Sequence, residues 1–251
     1  MLKAPYYIVS DNHFFMKNDE NEKNRREKLF NILDHIKNKG IGTLIIGGDF
    51  FDYWFEYNNK IPSGYESLLR ALKELKKSGI DIHYILGNHD YWDFGYLKNN
   101  IGIITHKGDL IIEHQNKKIY FTHGDGILKN DHGYRFMKKI IRSRIFIKIY
   151  NLFNPNFTTK LANNISNTSS RYNHHDNNVE IIKKDVLEFA RNKWKENFDI
   201  VLVGHYHQEG TIKENNKSVT FLGDWLTKFT VTVIDDNKLW QGNWKEFLNL
   251  S

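Results

Sequence analysis

The residues best suited to chemistry fall in five short fragments spread along the chain. Asp11-Asn12-His13, Gly48-Asp49-Phe50-Phe51-Asp52, Gly87-Asn88-His89-Asp90, Thr122-His123-Gly124-Asp125 and Gly204-His205-Tyr206-His207 each follow an apolar run. Carboxylate oxygen, amide oxygen and imidazole nitrogen suit Mn²⁺, Fe²⁺ or Zn²⁺. With no cysteine in the chain, the set leans away from structural zinc. Asp11 and His13 lie two apart in an extended segment, so both can turn inward where a strand breaks into a loop; His205 and His207 repeat that spacing. Asp49 follows a glycine pair that lets the backbone bend, so its carboxylate can bridge two ions. Asn88 adds a neutral oxygen donor and His123 one more nitrogen. Two ions roughly 3.5–4 Å apart can clamp a phosphoryl group and lower the pKa of a shared water. Hydrolysis of a phosphoester or phosphoanhydride is therefore the expected chemistry. His89 adjoins a ligand and is free to donate a proton to the leaving oxygen or to hold transition-state charge, with Asp52 orienting its ring. A lone Asp-x-His or His-x-His would be better read as turn polarity; the ordered set carries the reading.

These residues need strands that end together. Tyr6-Tyr7-Ile8-Val9, Thr43-Leu44-Ile45-Ile46 and Ile82-His83-Tyr84-Ile85-Leu86 read as buried strands. Between them, Leu29, Leu33 and Ile36, then Tyr65, Leu68, Leu69, Leu72 and Leu75, have helical spacing and stop at Gly40 and Ser78-Gly79. That β-α-β-α-β order predicts right-handed crossovers and a largely parallel sheet, with the motifs at its carboxyl ends. Shorter strands follow around Ile103-Ile104, Leu110–Ile112 and Ile119–Phe121. Tyr134 to Phe153 is basic and helical, and the chain is then rich in Asn, Ser and Thr through Asn178. Val179 to Trp194 returns to helix, Ile200–Val203 is a buried strand, and the remainder alternates like strands with turns near Asn215-Asn216 and Asp235-Asp236-Asn237. Residues 1–130 and 179–251 thus form a core and 131–178 an inserted helical cap.

Composition sets outer bounds. A chain of 251 residues with 40% hydrophobic and 14% aromatic content can bury a full core in one medium domain. The absence of cysteine excludes disulfides and thiol nucleophiles. The first apolar run starts at once, leaving no room for a signal peptide, and no stretch is apolar enough to span a bilayer. A net charge of +6 points to an anionic partner without choosing among phosphorylated small molecules, nucleic acid and membrane.

The ordered fragments D-x-H, G-D-x-x-D, G-N-H-D, H-G-D and G-H-x-H, from Asp11 to His207, resemble the calcineurin-like metallophosphoesterase superfamily. That resemblance implies an α/β/β/α sandwich in which Asp49 bridges two divalent ions, Mn²⁺ foremost. Asp11, His13 and His207 would serve one ion, and Asn88, His123 and His205 the other. Gly48 to Phe55, His123 to Tyr134, and Leu222-Gly223-Asp224-Trp225 are similar to the UDP-2,3-diacylglucosamine diphosphatases of lipid A biosynthesis, whose helical cap receives acyl chains. By that likeness Asn88, His89, Asp131, Tyr134, Ser170, Arg171 and His205 would meet a UDP-linked acylated glucosamine, releasing UMP and a lipid monophosphate. The protein would work in the cytoplasm, peripherally on the inner membrane, without nucleic acid. His89 departs from the Arg that some of these enzymes carry, and Asn12 stands where an apolar residue is common.

Other readings remain. The same metal site could cleave nucleotide or nucleic-acid phosphodiesters, although no nucleic-acid module is recognisable. A noncatalytic lipid-binding role would rest on the helix in which Arg135, Lys138, Lys139, Arg142, Arg144 and Lys148 alternate with apolar residues. His35, His83, His106, His114 and His132 read as surface or satisfied histidines, and His174-His175 as part of a solvated loop. Trp54, Phe55 and Tyr57 could line the site or pack the cap hinge.

Overall fold

A computed structural model of the chain describes residues 2–57, 60–150, 179–236 and 238–250. Strands β1 (Tyr6–Val9), β2 (Thr43–Ile46) and β3 (Asp81–Ile85) are joined through helices α1 (Glu20–Lys39) and α2 (Glu66–Lys77). They pair in parallel, as the alternation of strand and helix predicts. After α3 (Tyr96–Ile101), β4 (Ile104–His106) adds a further parallel strand. Strands β5 (Leu110–His114) and β6 (Lys117–Thr122) then open a second sheet. Two short helices, α4 (His132–Ile141) and α5 (Arg144–Tyr150), precede α6 (Val179–Lys195) and β7 (Ile200–Val203). The chain closes with β8 (Glu209–Glu214), β9 (Lys217–Leu222), β10 (Thr230–Asp235), β11 (Lys238–Asn243) and α7 (Trp244–Leu248). The sheet orders are β11-β10-β1-β2-β3-β4 and β5-β6-β7-β9-β8.

Alternation within single strands builds the layers. Tyr6 and Ile8 of β1, Ile45 of β2 and Ile85 of β3 pack against Ile119 and Phe121 of β6 and Ile200 and Leu202 of β7, forming the core between the sheets. Their neighbours Tyr7, Val9, Leu44, Ile46, Ile82 and Tyr84 face the other way, onto Leu29, Ile32, Leu33 and Ile36 of α1 and the leucines of α2. Tyr120, Val201 and Val203 meet Ile182, Val186 and Ala190 of α6 on the far side. Strands buried on both faces read as unbroken apolar runs for this reason. The result is the expected α/β/β/α sandwich.

The helical stretch starting near Tyr134 is two helices rather than one. It begins at His132 and breaks at Arg142-Ser143, where the Ser143 hydroxyl accepts from the Phe146 N–H at 3.1 Å and starts a new helix. The C-terminal stretch also departs from the expected strands. Asn243 accepts from the Glu246 N–H while the Glu246 carboxylate accepts from the Asn243 N–H, a capping box that initiates α7. Helix α3 has no counterpart in the sequence reading, because six residues give too little periodicity. Trp54 is fully buried and stacks on Phe51, whereas Phe55 packs on Trp92 and Tyr150. These aromatics tie α5 to the core. His83 of β3 and His106 of β4 stack diagonally across the strand pair, with Nδ1 of one 2.9 Å from Nε2 of the other. Among the described residues, no helix is long and apolar enough to cross a membrane.

Candidate metal centre

All five motifs lie just past the carboxyl ends of β1, β2, β3, β6 and β7, so the parallel pairing of those strands gathers them. The chain turns sharply there. Asp11, His13, Asp49, His205 and His207 adopt left-handed backbone, with φ of 52°, 43°, 50°, 67° and 53°. For a residue with a Cβ this conformation costs on the order of 1–2 kcal/mol, and such strain concentrates at functional sites. The glycines of the motifs admit close approach. A Cβ at Gly87 would stand 2.1 Å from Asp49 Oδ1, and one at Gly48 would stand 2.2 Å from His123 Nδ1.

Ligand-type atoms converge in overlapping groups. Those of Asp11, His13 and His207 lie within 4.8 Å of one another, as do those of Asp49, His123 and His205, and those of His13, Asp49 and His89. His13 Nε2 is 3.2 Å from His207 Nε2, and Asp49 Oδ2 is 3.3 Å from His123 Nε2 and 3.8 Å from His13 Nε2. Asn88 Oδ1 completes the second group at 3.2 Å from His123 Nε2. The seven residues singled out as ligands therefore meet, with Asp49 between the two halves.

Electrostatics favour cation binding. Burial pushes the Asp11 carboxyl up to about 7, and Asp49 beside it adds to the rise. Burial also raises Asp49, but His123 and His89 outweigh it and bring that carboxyl well below its usual range. Burial and neighbouring imidazoles hold His13 well below its ordinary value and bring His205 down to about 3. Both are therefore neutral nitrogen donors near pH 7, the form that ligates metal. Burial works against charge on His123, but Asp49 outweighs it and raises that ring to about 10, so a cation arriving there displaces a proton. Carboxylates and imidazoles converging in a buried site fit one or more divalent cations.

His89 and Asp52 meet chiefly through the main chain. His89 Nδ1 donates to the main-chain carbonyl of Asp52 at 2.7 Å, while the Asp52 carboxylate lies 3.9 Å away. The carbonyl accepts, so Nδ1 carries the proton and the ring orientation is fixed by backbone. The same carboxylate stands 3.8 Å from His13 Nδ1. Tyr134 donates to Asp125 Oδ2 at 3.0 Å, and its ring is 6.1 Å from that of His205, so it does approach the centre. Asp131 sits at the N-cap of α4. Ser170 and Arg171 lie outside the described residues.

Several participants had no role in the sequence reading. Asp90 is buried and accepts from the Gly87 N–H at 2.7 Å, the Phe50 N–H at 2.8 Å and the Tyr84 hydroxyl, tying two motif loops together. Asp125 accepts from Lys138 at 2.7 Å and from Arg142 at 3.0 Å, which anchors α4 beside the centre. Their places in G-N-H-D and H-G-D were the available signal. Asn12 is fully buried, and neither atom of its side-chain amide finds a partner among the described residues. Leaving such groups unpaired costs about 1–3 kcal/mol. Asn12→Leu is therefore expected to raise stability by about 1–2 kcal/mol in urea titration. Destabilisation would mean that the amide is bonded in solution.

The sequence matches the calcineurin-like phosphoesterase family over residues 4–209. The chain belongs to that family. Relatives include a UDP-2,3-diacylglucosamine hydrolase from Porphyromonas gingivalis, 26% identical across 95% of this chain and 97% of that one. A protein of the same name from Neisseria meningitidis serogroup A is 23% identical across 88% and 90%. Similar solved structures include an archaeal phosphodiesterase, at 16% identity, TM-score 0.44 and coverage of 95% and 98%. An Escherichia coli phosphoesterase has 13% identity, TM-score 0.48 and coverage of 97% and 94%.

Membership in the calcineurin-like phosphoesterases makes the chain hydrolytic in kind and implies divalent metal ions at these ligand groups. Cation binding should then be visible as stability. At 100–1,000 times its dissociation constant, a bound ion contributes roughly 3–4 kcal/mol, or about 5–15 °C for a domain of this size. Mn²⁺ is expected to raise the thermal midpoint by that amount and excess EDTA to reverse it. An unchanged midpoint in calorimetry would contradict metal binding here.

Proposed function

We propose that this chain hydrolyses the pyrophosphate of UDP-2,3-diacylglucosamine to UMP and 2,3-diacylglucosamine 1-phosphate, the lipid A precursor lipid X. Two ions, most naturally Mn²⁺, would be held by Asp11, His13 and His207 and by Asn88, His123 and His205, with Asp49 shared. When bound, they supply Lewis acidity toward the phosphoryl oxygens and a water activated near neutral pH. One phosphoanhydride P–O bond breaks, and water supplies the new P–O bond. Asn88 and His205 would also contact the phosphates. His89, with Nδ1 committed to the Asp52 carbonyl, presents its other nitrogen to the phosphate or the leaving oxygen. Burial works against its charge, but Asp49 and Asp52 outweigh it and raise its pKa above the ordinary value, which favours the proton-bearing form.

The arrangement of α4 and α5 is the observation that carries the lipid half of the reading. On one side Lys138 and Arg142 reach Asp125, next to the ligand His123. On the other, Phe136 and Ile145 are 68% and 72% exposed, and Met137, Ile140 and Ile149 are also exposed. Cations beside the phosphoryl centre and apolar side chains turned outward suit a substrate with a pyrophosphate head and acyl tails. We read 131–178 as a cap receiving those tails, with Asp131, Tyr134, Ser170 and Arg171 contacting the sugar phosphate. Basic residues among exposed apolar ones also suit an anionic bilayer, placing the protein peripherally on the cytoplasmic face of the inner membrane. The relatives named UDP-2,3-diacylglucosamine hydrolase support the reading along nearly the whole chain.

The deciding comparison sets acylated against soluble substrate. With Mn²⁺ present, kcat/KM for UDP-2,3-diacylglucosamine should exceed that for UDP-glucosamine and for simple aryl phosphodiesters by at least ~10²-fold. Equal turnover of soluble diesters, without gain from acylation, would favour a nucleotide or nucleic-acid phosphodiesterase instead.

A further inference from the structure

Three of the left-handed ligand residues share a feature that the other motifs lack. The main-chain carbonyl of each accepts a hydrogen bond from one small frame, built from the start of α1 and the turn between β9 and β10. The Trp225 N–H donates to Asp11 O at 3.1 Å. Arg25 Nη2 donates to His13 O at 3.1 Å and also to Asn12 O. Lys228 Nζ donates to His207 O at 2.6 Å. Asp11, His13 and His207 are also the members of one ligand group.

The frame is itself fixed. Arg25 Nε donates to Trp225 O at 3.3 Å, and Trp225 Nε1 returns a bond to Arg25 O at 3.1 Å. Glu22, buried on the first turn of α1, accepts from Arg25 at 2.5 Å and from Arg26 at 3.0 Å. Asp224 is buried too, and its carboxylate accepts from the Thr227 N–H at 2.6 Å, the Leu226 N–H at 2.8 Å and Lys228 Nζ at 3.0 Å. The turn from Asp224 to Lys228 thus aims one backbone N–H and one ammonium at two different motif loops. The remaining ligands are held by other means: Asp49 O accepts from the His13 N–H at 2.8 Å, and Asp90 ties the flanks of Asp49 and Asn88. Among the described residues, no hydrogen bond runs from Arg25, Trp225 or Lys228 to Asp49, Asn88, His123 or His205.

We propose that Arg25, Trp225 and Lys228 form a three-point clamp on the carbonyls of Asp11, His13 and His207, and that Lys228 is a positioning residue for one of the two metal ions. The inference rests on the two-ion reading above. Lys228 reaches His207 through a flexible side chain and is partly exposed, so its removal loosens the angle at which the imidazole is presented without opening the core. Loss of partners that orient metal ligands typically weakens affinity by roughly 10–100-fold, and here that loss falls on one ion alone.

Mn²⁺ is titrated calorimetrically into the full-length wild type, Lys228→Met and Lys228→Arg, with spin coupling of the ion pair followed by paramagnetic resonance. The expected result is two ions in the wild type, one unchanged in Lys228→Met and the other weakened roughly 10–100-fold, with recovery in Lys228→Arg. His207→Ala should weaken the same ion, and adding Lys228→Met to it should cost nothing further. If Lys228→Met fails to fold in chelator, Lys228→Gln, which keeps a polar end, is read by the same criteria. Equal weakening of both ions, no weakening, or no recovery with arginine overturns the clamp and leaves the two-ion reading standing. Fewer than two ions in the wild type overturns that reading and the clamp with it.

Discussion

Asp49→Ala is expected to lower kcat/KM by at least ~10³-fold and to weaken Mn²⁺ at both ligand groups. The expectation follows from where the carboxylate sits. Its Oδ2 lies 3.3 Å from His123 Nε2 and 3.8 Å from His13 Nε2, one residue from each group, while its Oδ1 accepts from the His89 N–H at 2.9 Å. Removing it takes away the donor that the two proposed ions would share and a contact that fixes the next motif. The fold should survive, because the side chain belongs to neither sheet core. Circular dichroism and metal analysis together separate this from global unfolding. A variant that keeps two tightly bound ions would contradict the placing of Asp49 between them.

His89→Gln should behave in the opposite way with respect to metal. It is expected to lower kcat by roughly 10²–10⁴-fold, the usual contribution of a positioned proton donor, with both ions retained. His89 is held by the Asp52 carbonyl and packs edge-on to His13 at 4.7 Å between ring centroids. It can therefore face the substrate while remaining outside the ligand set. A proton donor acts in its protonated form, so activity lost as pH rises through the His89 pKa should belong to this residue. The variant should lack that alkaline limb. Because His89 also falls within 4.8 Å of His13 and Asp49, loss of an ion in His89→Gln would show that it is a ligand. Metal stoichiometry beside the kinetics decides between the two.

The parallel half of the first sheet was legible from the chain because β1 and β2 are buried on both faces and, with the mostly buried β3, appear as apolar runs followed by polar motifs. The candidate ligands could be singled out for the same reason: each lies within a few residues of a strand end. What escaped was set by partners distant in sequence. Arg25 and Trp225 meet across 200 positions, and neither residue type announces a role near a metal centre. Asp90 and Asp125 were visible as motif letters, but their function is to bind N–H groups and cations from other segments, which spacing does not reveal. The pairing of His89 with Asp52 could be read from the motifs, but its shortest contact is to the Asp52 main-chain oxygen, which every residue possesses and no side-chain pattern announces. Helix α7 was missed because its signal is a capping box rather than a period.

The most direct test of the whole account is product analysis of UDP-2,3-diacylglucosamine incubated with the purified full-length protein and Mn²⁺. Release of UMP together with 2,3-diacylglucosamine 1-phosphate in equal amounts, stopped by EDTA, is the predicted result. No UMP from folded, Mn²⁺-loaded protein, while a soluble phosphodiester is turned over, would contradict it.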